Sequence, residues 1–563
     1  MTDSPSGVGV ANMHVLDTMT SRDPLLVTRE LQLAKAGPPH TGTALAPEKT
    51  LADSEANAPS ISSASVIDEK QQPHVVKDSS LVGSDSTEAV SQALTIDPDG
   101  PRVSMSFRRR LIIMFSLFLI FLLANMDQTI VAVALPTIGS DFGEFSNAAW
   151  VGTAYLLTMT AFQPLYGKLS DIFGRLQLLM FALGVFLLGS ALCGAAQSMI
   201  WLIIARGVMG VGGGGIASLC LVIGSDITTI RERGIFLSLM AMSWSIASIA
   251  GPIIGAKLSD DISWRWCFYI NLPIGAVSAI ISLIFLRIPV ERSTWIQKLK
   301  RVDFIGSFVV VSALVLILLA LSWGGKTYAW NSAVVVTLLV VGLVMLVGFG
   351  VLESYVPSEP ILHPILFRNL NLAMSFICSL VIGITMFGLV YYIPIFFSMV
   401  KNISATKAAL HALPSLIPNA CFSLIAGGLM TAVGHFRLHM WVGLALTVVG
   451  TGILTLMKPD SSIGQQIGYM IVSGAGLGIT LAPSIVLGQI SVEPSLTAVA
   501  TALMVFARTF GGILGLAICD TVLANSVGPK LAAIAAKYPE SSVPILTSQN
   551  NAKVLWESNI SSS

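Results

Sequence analysis

Charged residues are scarce in this sequence. Only 11% of its 563 residues are Asp, Glu, Lys or Arg, whereas soluble proteins typically carry about 25%. The motifs GxSxG, HExxH and Walker A and the kinase signatures are absent. The sequence therefore gives no support for an enzyme, and we expect no catalytic residue, no cofactor and no nucleic-acid partner.

Metal-binding and disulfide patterns are lacking too. The chain has six cysteines, none in a CxxC or a Cys/His metal spacing, and each falls in an apolar segment. We expect no metal site and interpret them as small core residues. They are Cys193, Cys220, Cys267, Cys378, Cys421 and Cys519.

Apolar residues make up 54% of the chain, and its mean hydropathy is +0.78. A bilayer core needs about 20 apolar residues per helix. We therefore predict an all-α polytopic membrane protein with thirteen visible spans, which would put the two termini on opposite sides. The spans are 111–133, 147–167, 176–196, 199–222, 234–256, 264–287, 303–323, 332–352, 371–394, 407–430, 438–457, 465–490 and 497–523.

Basic residues orient these spans. With a cytoplasmic N-terminus, most Lys and Arg of the short loops, such as Arg108, Arg175 and Arg301, face the cytoplasm, as the positive-inside rule requires. Residues 1–105 are polar and acidic and predict a disordered cytoplasmic tail. Asn402, in the sequence Asn-Ile-Ser, then faces outward as a candidate glycosylation site, which would make the chain a glycoprotein.

The first span, LFLIFLLANMDQTIVAVALP, contains Asp127. An acid at bilayer depth costs at least about 2.5 kcal/mol, so it is a functional hypothesis by default. Asp127 lies about 9 Å and Arg206 of the fourth span about 10 Å below the same surface, counted at 1.5 Å per residue. We predict that they pair and carry a coupling proton; a static ion pair that fixes helix packing is the alternative.

Glycine and proline mark three further segments. RGVMGVGGGGI (206–216) predicts close helix contact, either for sliding or for plain packing. In the fifth span, Pro252 predicts a kink between the small residues Gly251 and Gly255. GKLSDIFGR (167–175), which we call the signature loop, predicts a cytoplasmic turn at its glycines, Gly167 and Gly174, and a bridge between its charges, Asp171 and Arg175.

These segments together resemble the major facilitator superfamily, specifically its fourteen-span drug:proton antiporter family of fungi and bacteria. GKLSDIFGR, LIIARGVMGVGGGG, AGPIIG, MDQTIVAVALP, WRWCFYINLPIG and ATALMVFARTFGGILGLAI resemble its motifs. The usual glycines flanking the fifth-span motif are Ala247 and Ala256 here, and Ser398 stands where the family has Gln. GGLMTAVGH (427–435) is similar to a degenerate second copy of the signature loop, as expected of a two-half transporter.

The resemblance implies a major facilitator fold of two six-helix bundles (106–290 and 366–525, the second incomplete), an inserted helix pair (291–365) and a C-terminal tail (526–563). The fourteenth span is missing; we favour a truncated reading of the gene's 3′ end over a chain that ends outside after thirteen spans. Arg508 and Asp520 add charges to the last span, where we expect Arg508 to snorkel toward the cytoplasm and Asp520 to be wetted near the outer end.

The function that the resemblance implies is proton-coupled efflux by alternating access. The signature loop would latch one conformation, the Pro252 segment would form the antiporter bend, and the substrate cavity would include Trp244, Phe387, Tyr391 and Tyr392. We expect a monomeric exporter of small amphipathic molecules, either a self-made secondary metabolite such as a toxin or glycolipid, or drugs in multidrug resistance. We expect it in the plasma membrane, with the vacuolar membrane as the alternative.

Two other functions stay open at this point. One is uptake or vacuolar transport of a nutrient, a siderophore or a basic amino acid by the same fold. The other is a transporter-like receptor or an inactive remnant, which the missing span suggests.

Overall fold

The structure is a computed structural model that describes residues 105–537, except 287–293, 326, 356–358, 363, 402, 404 and 459–460. The predicted N-terminal tail up to residue 104 and the sequon residue Asn402 lie outside the described residues. Apart from one isolated bridge between Gly324 and Tyr328, the regular structure described in these ranges is helical.

Sixteen α-helices follow one another in the described ranges. They are α1 (Phe107–Phe142), α2 (Phe145–Phe173), α3 (Arg175–Gly194), α4 (Met199–Ile227), α5 (Ile230–Asp261), α6 (Trp266–Tyr269), α7 (Asn271–Phe285), α8 (Trp295–Lys300), α9 (Phe304–Trp323), α10 (Ala333–Tyr355), α11 (Leu370–Val400), α12 (Ala405–His411), α13 (Leu413–Val433), α14 (Phe436–Leu454), α15 (Ile463–Ile490) and α16 (Thr497–Lys537). Short 3₁₀ turns precede α11 and α16.

Twelve helical segments of the described chain are long and apolar enough to cross a membrane, with α6 and α7 counting as one crossing. The 29-residue α2 has the length as well, but Gln163 and several Thr and Gly residues make it more polar. The predicted all-helical polytopic fold is confirmed. The last helix differs from its prediction, because α16 continues to Lys537 and not to about residue 523.

Burial separates central helices from peripheral ones. In the most apolar 18-residue stretch of α4, 83% of the residues are buried, whereas in the corresponding stretch of α10 17% are buried. Large apolar side chains such as Trp441, Phe308 and Val347 are at least 70% exposed, as expected of a surface in contact with lipid tails. Cys421 is exposed as well, so our prediction of a core position is wrong for this cysteine: its side chain lies on the outer surface of α13.

The two halves of the chain meet at two helix crossings. At Gly167 of α2, a Cβ atom would lie 3.0 Å from the carbonyl oxygen of Ala498 on α16. At Gly427 of α13, it would lie 2.7 Å from the carbonyl oxygen of Gly234 on α5. Both crossings are at the ends that the predicted topology places in the cytoplasm, so backbone contact closes the space between the halves at that end.

The helices α9 and α10 pack against each other, and α9 also packs on α2 and α16. At one end of α9, the rings of Trp323 and Trp150 of α2 are 5.8 Å apart. Beyond that end, the Trp330 indole N–H donates to Thr521 Oγ1 of α16 (2.9 Å). This helix pair therefore contacts both halves along the α2–α16 side.

Candidate functional site

Asp127 and Arg206 form an ion pair in the interior of the first half. Arg206 Nη1 donates to Asp127 Oδ2 at 2.5 Å, and the two side chains are 0% and 1% exposed. Arg206 Nε also donates to the carbonyl of Val151 in α2 (3.0 Å), so the guanidinium joins α1, α2 and α4. The sequence placed the two charges at equal depth, and the structure brings them into contact.

Neighbouring side chains complete this buried cluster. The ring of Tyr155 lies under the guanidinium of Arg206, with 4.2 Å between ring centroid and Cζ. Asn271 Nδ2 lies within hydrogen-bonding distance of Asp127 Oδ1 (3.3 Å) and of Ser190 Oγ (3.0 Å). The Tyr155 hydroxyl and Asn271 Oδ1 are buried without a partner among the described residues. The cluster therefore has spare polar atoms that a proton or a water molecule entering it could bind.

The segment of α5 around Pro252, from Gly251 to Gly255, lies directly against this part of α1. A Cβ atom on Gly251 would come within 2.0 Å of Thr129 Oγ1, and one on Gly255 within 2.8 Å of the Ile130 carbonyl oxygen. The Thr129 hydroxyl itself donates to the carbonyl of Ala247 in α5 (2.8 Å). Only residues without a side chain fit this crossing, so α5 is in close backbone contact with the helix that carries Asp127.

The signature loop is held by ion pairs. Gly174 joins α2 to α3 with φ +99°, a conformation that favours glycine. Arg175 contacts Asp171 (Nη2 to Oδ1, 2.7 Å), as the spacing predicted, and its Nε donates to Asp226 Oδ2 at the end of α4 (2.8 Å). The loop thereby ties together the ends of α2, α3 and α4.

A second ion cluster connects this loop to the segments that flank α9 and α10. Glu359 accepts from Lys168 Nζ (3.0 Å) and from Arg301 Nε (2.7 Å). Partial burial works against the charge of Glu359, but the hydrogen bonds from Arg301 and Lys168 outweigh it and hold its pKa below the ordinary value. This carboxylate is therefore charged at neutral pH and joins α2 to the chain before α9 and after α10.

Two cavities lie one above the other between the halves, along α1, α5 and α11. The wall of the inner cavity includes Asn125, Gln128, Trp244, Phe387, Arg508 and Thr509. The wall of the outer cavity includes Gln128, Trp244, Pro252, Tyr391, Pro394 and Leu416. Gln128 and Trp244 belong to both walls, so the two cavities adjoin each other.

Aromatic rings from both halves border these cavities. The rings of Trp244 and Phe387 are 5.5 Å apart, and those of Phe387 and Tyr391 are 6.3 Å apart and stacked. Tyr392, which we grouped with them from the sequence, points elsewhere: its hydroxyl donates to Asp520 Oδ1 of α16. A helix turns by about 100° per residue, which is why neighbouring tyrosines face different surroundings.

Sequence reasoning missed or misplaced several polar groups of this region. Asp226 and Asn271 received no role from the sequence. An isolated Asp near a helix end carries no pattern, and Asn271 was recognised only as part of the motif WRWCFYINLPIG. Our expectation that Arg508 snorkels to the cytoplasm is wrong. It lies eleven residues into α16, about 16 Å from the start of that helix, and faces the inner cavity.

Known proteins resemble this chain over most of its length. A family model described as the Major Facilitator Superfamily matches residues 117–516. The MFS-type transporter phomT of Diaporthe leptostromiformis is 36% identical over 75% of this chain and 72% of its own. The MFS-type efflux pump MFS1 of Arthroderma benhamiae is 36% identical over 74% of this chain and 78% of its own.

A solved structure has the same fold at much lower identity. The human organic anion transporter MFSD10 superimposes with a TM-score of 0.55 at 14% identity, covering 74% of this chain and 94% of that one. At this identity the likeness concerns the fold alone.

Proposed function

The chain belongs to the Major Facilitator Superfamily, and on this premise we propose that it is a proton-coupled exporter of small amphipathic organic molecules. It is a multi-pass membrane protein and a transporter, not an enzyme. In this role the protein resides in the plasma membrane and binds its substrate in the inner and outer cavities. The similarity to a fungal efflux pump supports the outward direction.

The observation that carries proton coupling is the buried pair Asp127–Arg206. Removing a carboxylate and a guanidinium from water costs several kcal/mol per ion, which an apolar pair of similar volume would avoid. Protonation of Asp127 would cancel the ion pair and free Arg206, so the energy of the cluster changes with each proton bound. Gln128, the next residue in α1, lines both cavities and gives the pair a direct structural connection to the substrate.

The helix crossings supply the alternating movement. With the α2–α16 and α5–α13 crossings in contact, the cavities are closed toward the cytoplasm, and opening to that side requires both contacts to separate. Arg175 and its two carboxylate partners, Asp171 and Asp226, would stabilise the closed arrangement as the latch. The Gly251–Pro252–Gly255 segment would seal α5 against α1 so that protons cross only with substrate.

A substrate must be identified before coupling can be measured. Untargeted metabolite analysis of cells with and without the protein would show a compound that accumulates inside when the protein is absent. That compound is then loaded into proteoliposomes containing the purified full chain, and its movement is followed with and without an imposed pH gradient.

Asp127→Asn should abolish uphill transport driven by the pH gradient while substrate exchange without a gradient continues. The matched control is Asp141→Asn, because Asp141 also pairs with an arginine, Arg265, but lies at the exposed end of α1. Gradient-driven transport at the wild-type rate in Asp127→Asn would refute the assignment of the coupling residue. Transport that no gradient affects in the wild type would refute proton coupling itself.

A further inference from the structure

Arg508 is the one charged residue in the wall of the inner cavity, counted over the described residues. No Asp or Glu lines this cavity, and the remaining wall is mainly Leu, Ile, Val, Met, Ala and Phe. A site for a positively charged molecule would be expected to contain an acidic side chain. The wall of this cavity carries a positive charge instead, that of Arg508.

The guanidinium of Arg508 has no hydrogen-bond or ion-pair partner in the part of the chain that the structure describes. Arg508 lies deep in the protein, and part of its side chain remains accessible from the cavity. An unpaired charge held away from bulk water is costly, and arginine does not relieve the cost by losing its proton. The arrangement is therefore suited to a partner that arrives from outside the chain.

A second unused donor faces the same region. The indole N–H of Trp244 is buried and has no partner among the described residues, although the ring itself packs at 5.5 Å from Phe387. Gln128 adds an amide to the same wall. The cavity thus combines hydrogen-bond donors with flat apolar faces, a combination that fits an acceptor-rich group attached to an aromatic or flat apolar body.

We infer that the exported molecule carries a carboxylate, which binds to Arg508 in the inner cavity while its apolar body lies against Trp244 and Phe387. Guanidinium and carboxylate match in a bidentate arrangement, and each charge-assisted hydrogen bond is about twice as strong as a neutral one. This inference rests on the proposed function, because it assumes that the inner cavity receives the transported molecule. It adds the chemical class of the substrate.

The test compares three probes that share one aromatic body: pyrenebutyrate, its methyl ester and pyrenebutylamine. Binding to the purified full-length protein is measured in detergent from the fluorescence of pyrene. In the wild type we expect the acid to bind roughly ten to a hundredfold more tightly than the ester, the ratio that a hydrogen bond to a charged group provides, and the amine to bind most weakly. In Arg508→Gln, acid and ester should bind equally, whereas Arg508→Lys should keep part of the preference.

One control variant and one further variant of the cavity separate binding from structural damage. Arg368→Gln removes a positive charge from an exposed position and should leave the probe ranking unchanged. Trp244→Phe keeps an aromatic ring, loses the indole N–H, and should weaken the acid severalfold more than the ester. Thermal melting without ligand should not fall in Arg508→Gln, because that variant removes a charge that has no partner among the described residues.

Equal binding of acid and ester by the wild type, or an acid preference that survives in Arg508→Gln, would overturn the inference. Equal weakening of all three probes in Arg508→Gln would also overturn it, since that result indicates a structural role. Asp127→Asn should keep the acid preference and lose only gradient-driven transport. The binding assay tests the carboxylate site, and the transport assay tests proton coupling. Either result can be negative while the other is positive, so the failure of this inference and the failure of the proposed function are distinguishable.

Discussion

Helix α4 allows a comparison of two glycines three residues apart in the same helix. A Cβ atom on Gly210 would lie 2.1 Å from Thr158 Oγ1 and 2.4 Å from the Tyr155 carbonyl oxygen, both on α2. A Cβ atom on Gly207 would meet nothing nearer than Thr158 Cγ2 at 3.8 Å. The same substitution therefore has opposite physical consequences at the two positions.

Gly207→Ala should be neutral or stabilise the protein by up to about 1 kcal/mol, because alanine favours the helix. Gly210→Ala should destabilise it by about 1–3 kcal/mol, the usual cost of overpacking, because a backbone carbonyl cannot rotate away. The difference of roughly 1–4 kcal/mol corresponds to a few degrees or more in apparent melting temperature. It is measured from tryptophan fluorescence in detergent at one fixed scan rate, because an apparent melting temperature depends on the scan rate whenever unfolding is irreversible.

A double variant sharpens this test. Thr158→Ala removes the hydroxyl that the new methyl group of Gly210→Ala would strike, but the Tyr155 carbonyl remains at 2.4 Å. The combination should therefore recover only part of the loss. Equal melting temperatures for Gly207→Ala and Gly210→Ala would show that α4 and α2 are not packed as described, and full recovery in the double variant would show that the carbonyl contact is unimportant.

Two further predictions concern the signature loop and its neighbours. Asp226→Asn should destabilise the protein by about 1–3 kcal/mol, because Arg175 loses a buried charged partner, whereas Asp171→Asn should cost less since Asp171 is more exposed; equal melting temperatures would contradict this ranking. The lowered pKa of Glu359 means that its ion pairs contribute fully above its ordinary pKa of 4.5 and are lost as the pH falls through the lower folded-state value. A melting series from pH 7 to 3 should therefore show a smaller loss on acidification in Glu359→Gln than in the wild type, by up to about 1 kcal/mol, and identical profiles would contradict it.

The sequence predicted the helices well and their facing surfaces poorly. A run such as 111–133 must cross the bilayer, so composition and length locate the apolar part of the helix, although the helix itself runs from Phe107 to Phe142. The depth of a residue below the membrane surface could be counted along two such runs. This is why Asp127 and Arg206 could be predicted to pair. Rotation about the helix axis could not be derived, because these helices are apolar on nearly every side. Tyr392 was therefore assigned to the cavity, although its side chain faces Asp520. Arg508 was assigned to the membrane surface for a different reason, because its depth along α16 was underestimated.

Contacts made by the loops could not be predicted from the sequence either. No local pattern marks Glu359, and only the fold brings it into contact with Lys168, nearly two hundred residues earlier in the chain. Motifs within one segment, such as the signature loop, could be recognised because their partners are four residues apart. Contacts between distant segments require the packing of the whole bundle.

The position of α9 and α10 has a consequence for molecules that dissolve in the bilayer. Trp323 meets Trp150 of α2, and Trp330 bonds to Thr521 of α16, so this helix pair covers the seam between the halves on that side. Among the described helices, α9 and α10 have no comparable packing against α5 or α13. The two seams between the halves are therefore unequally covered: we expect a lipid-soluble compound that moves within a leaflet to meet α9 and α10 at the α2–α16 seam, whereas this helix pair does not cover the α5–α13 seam.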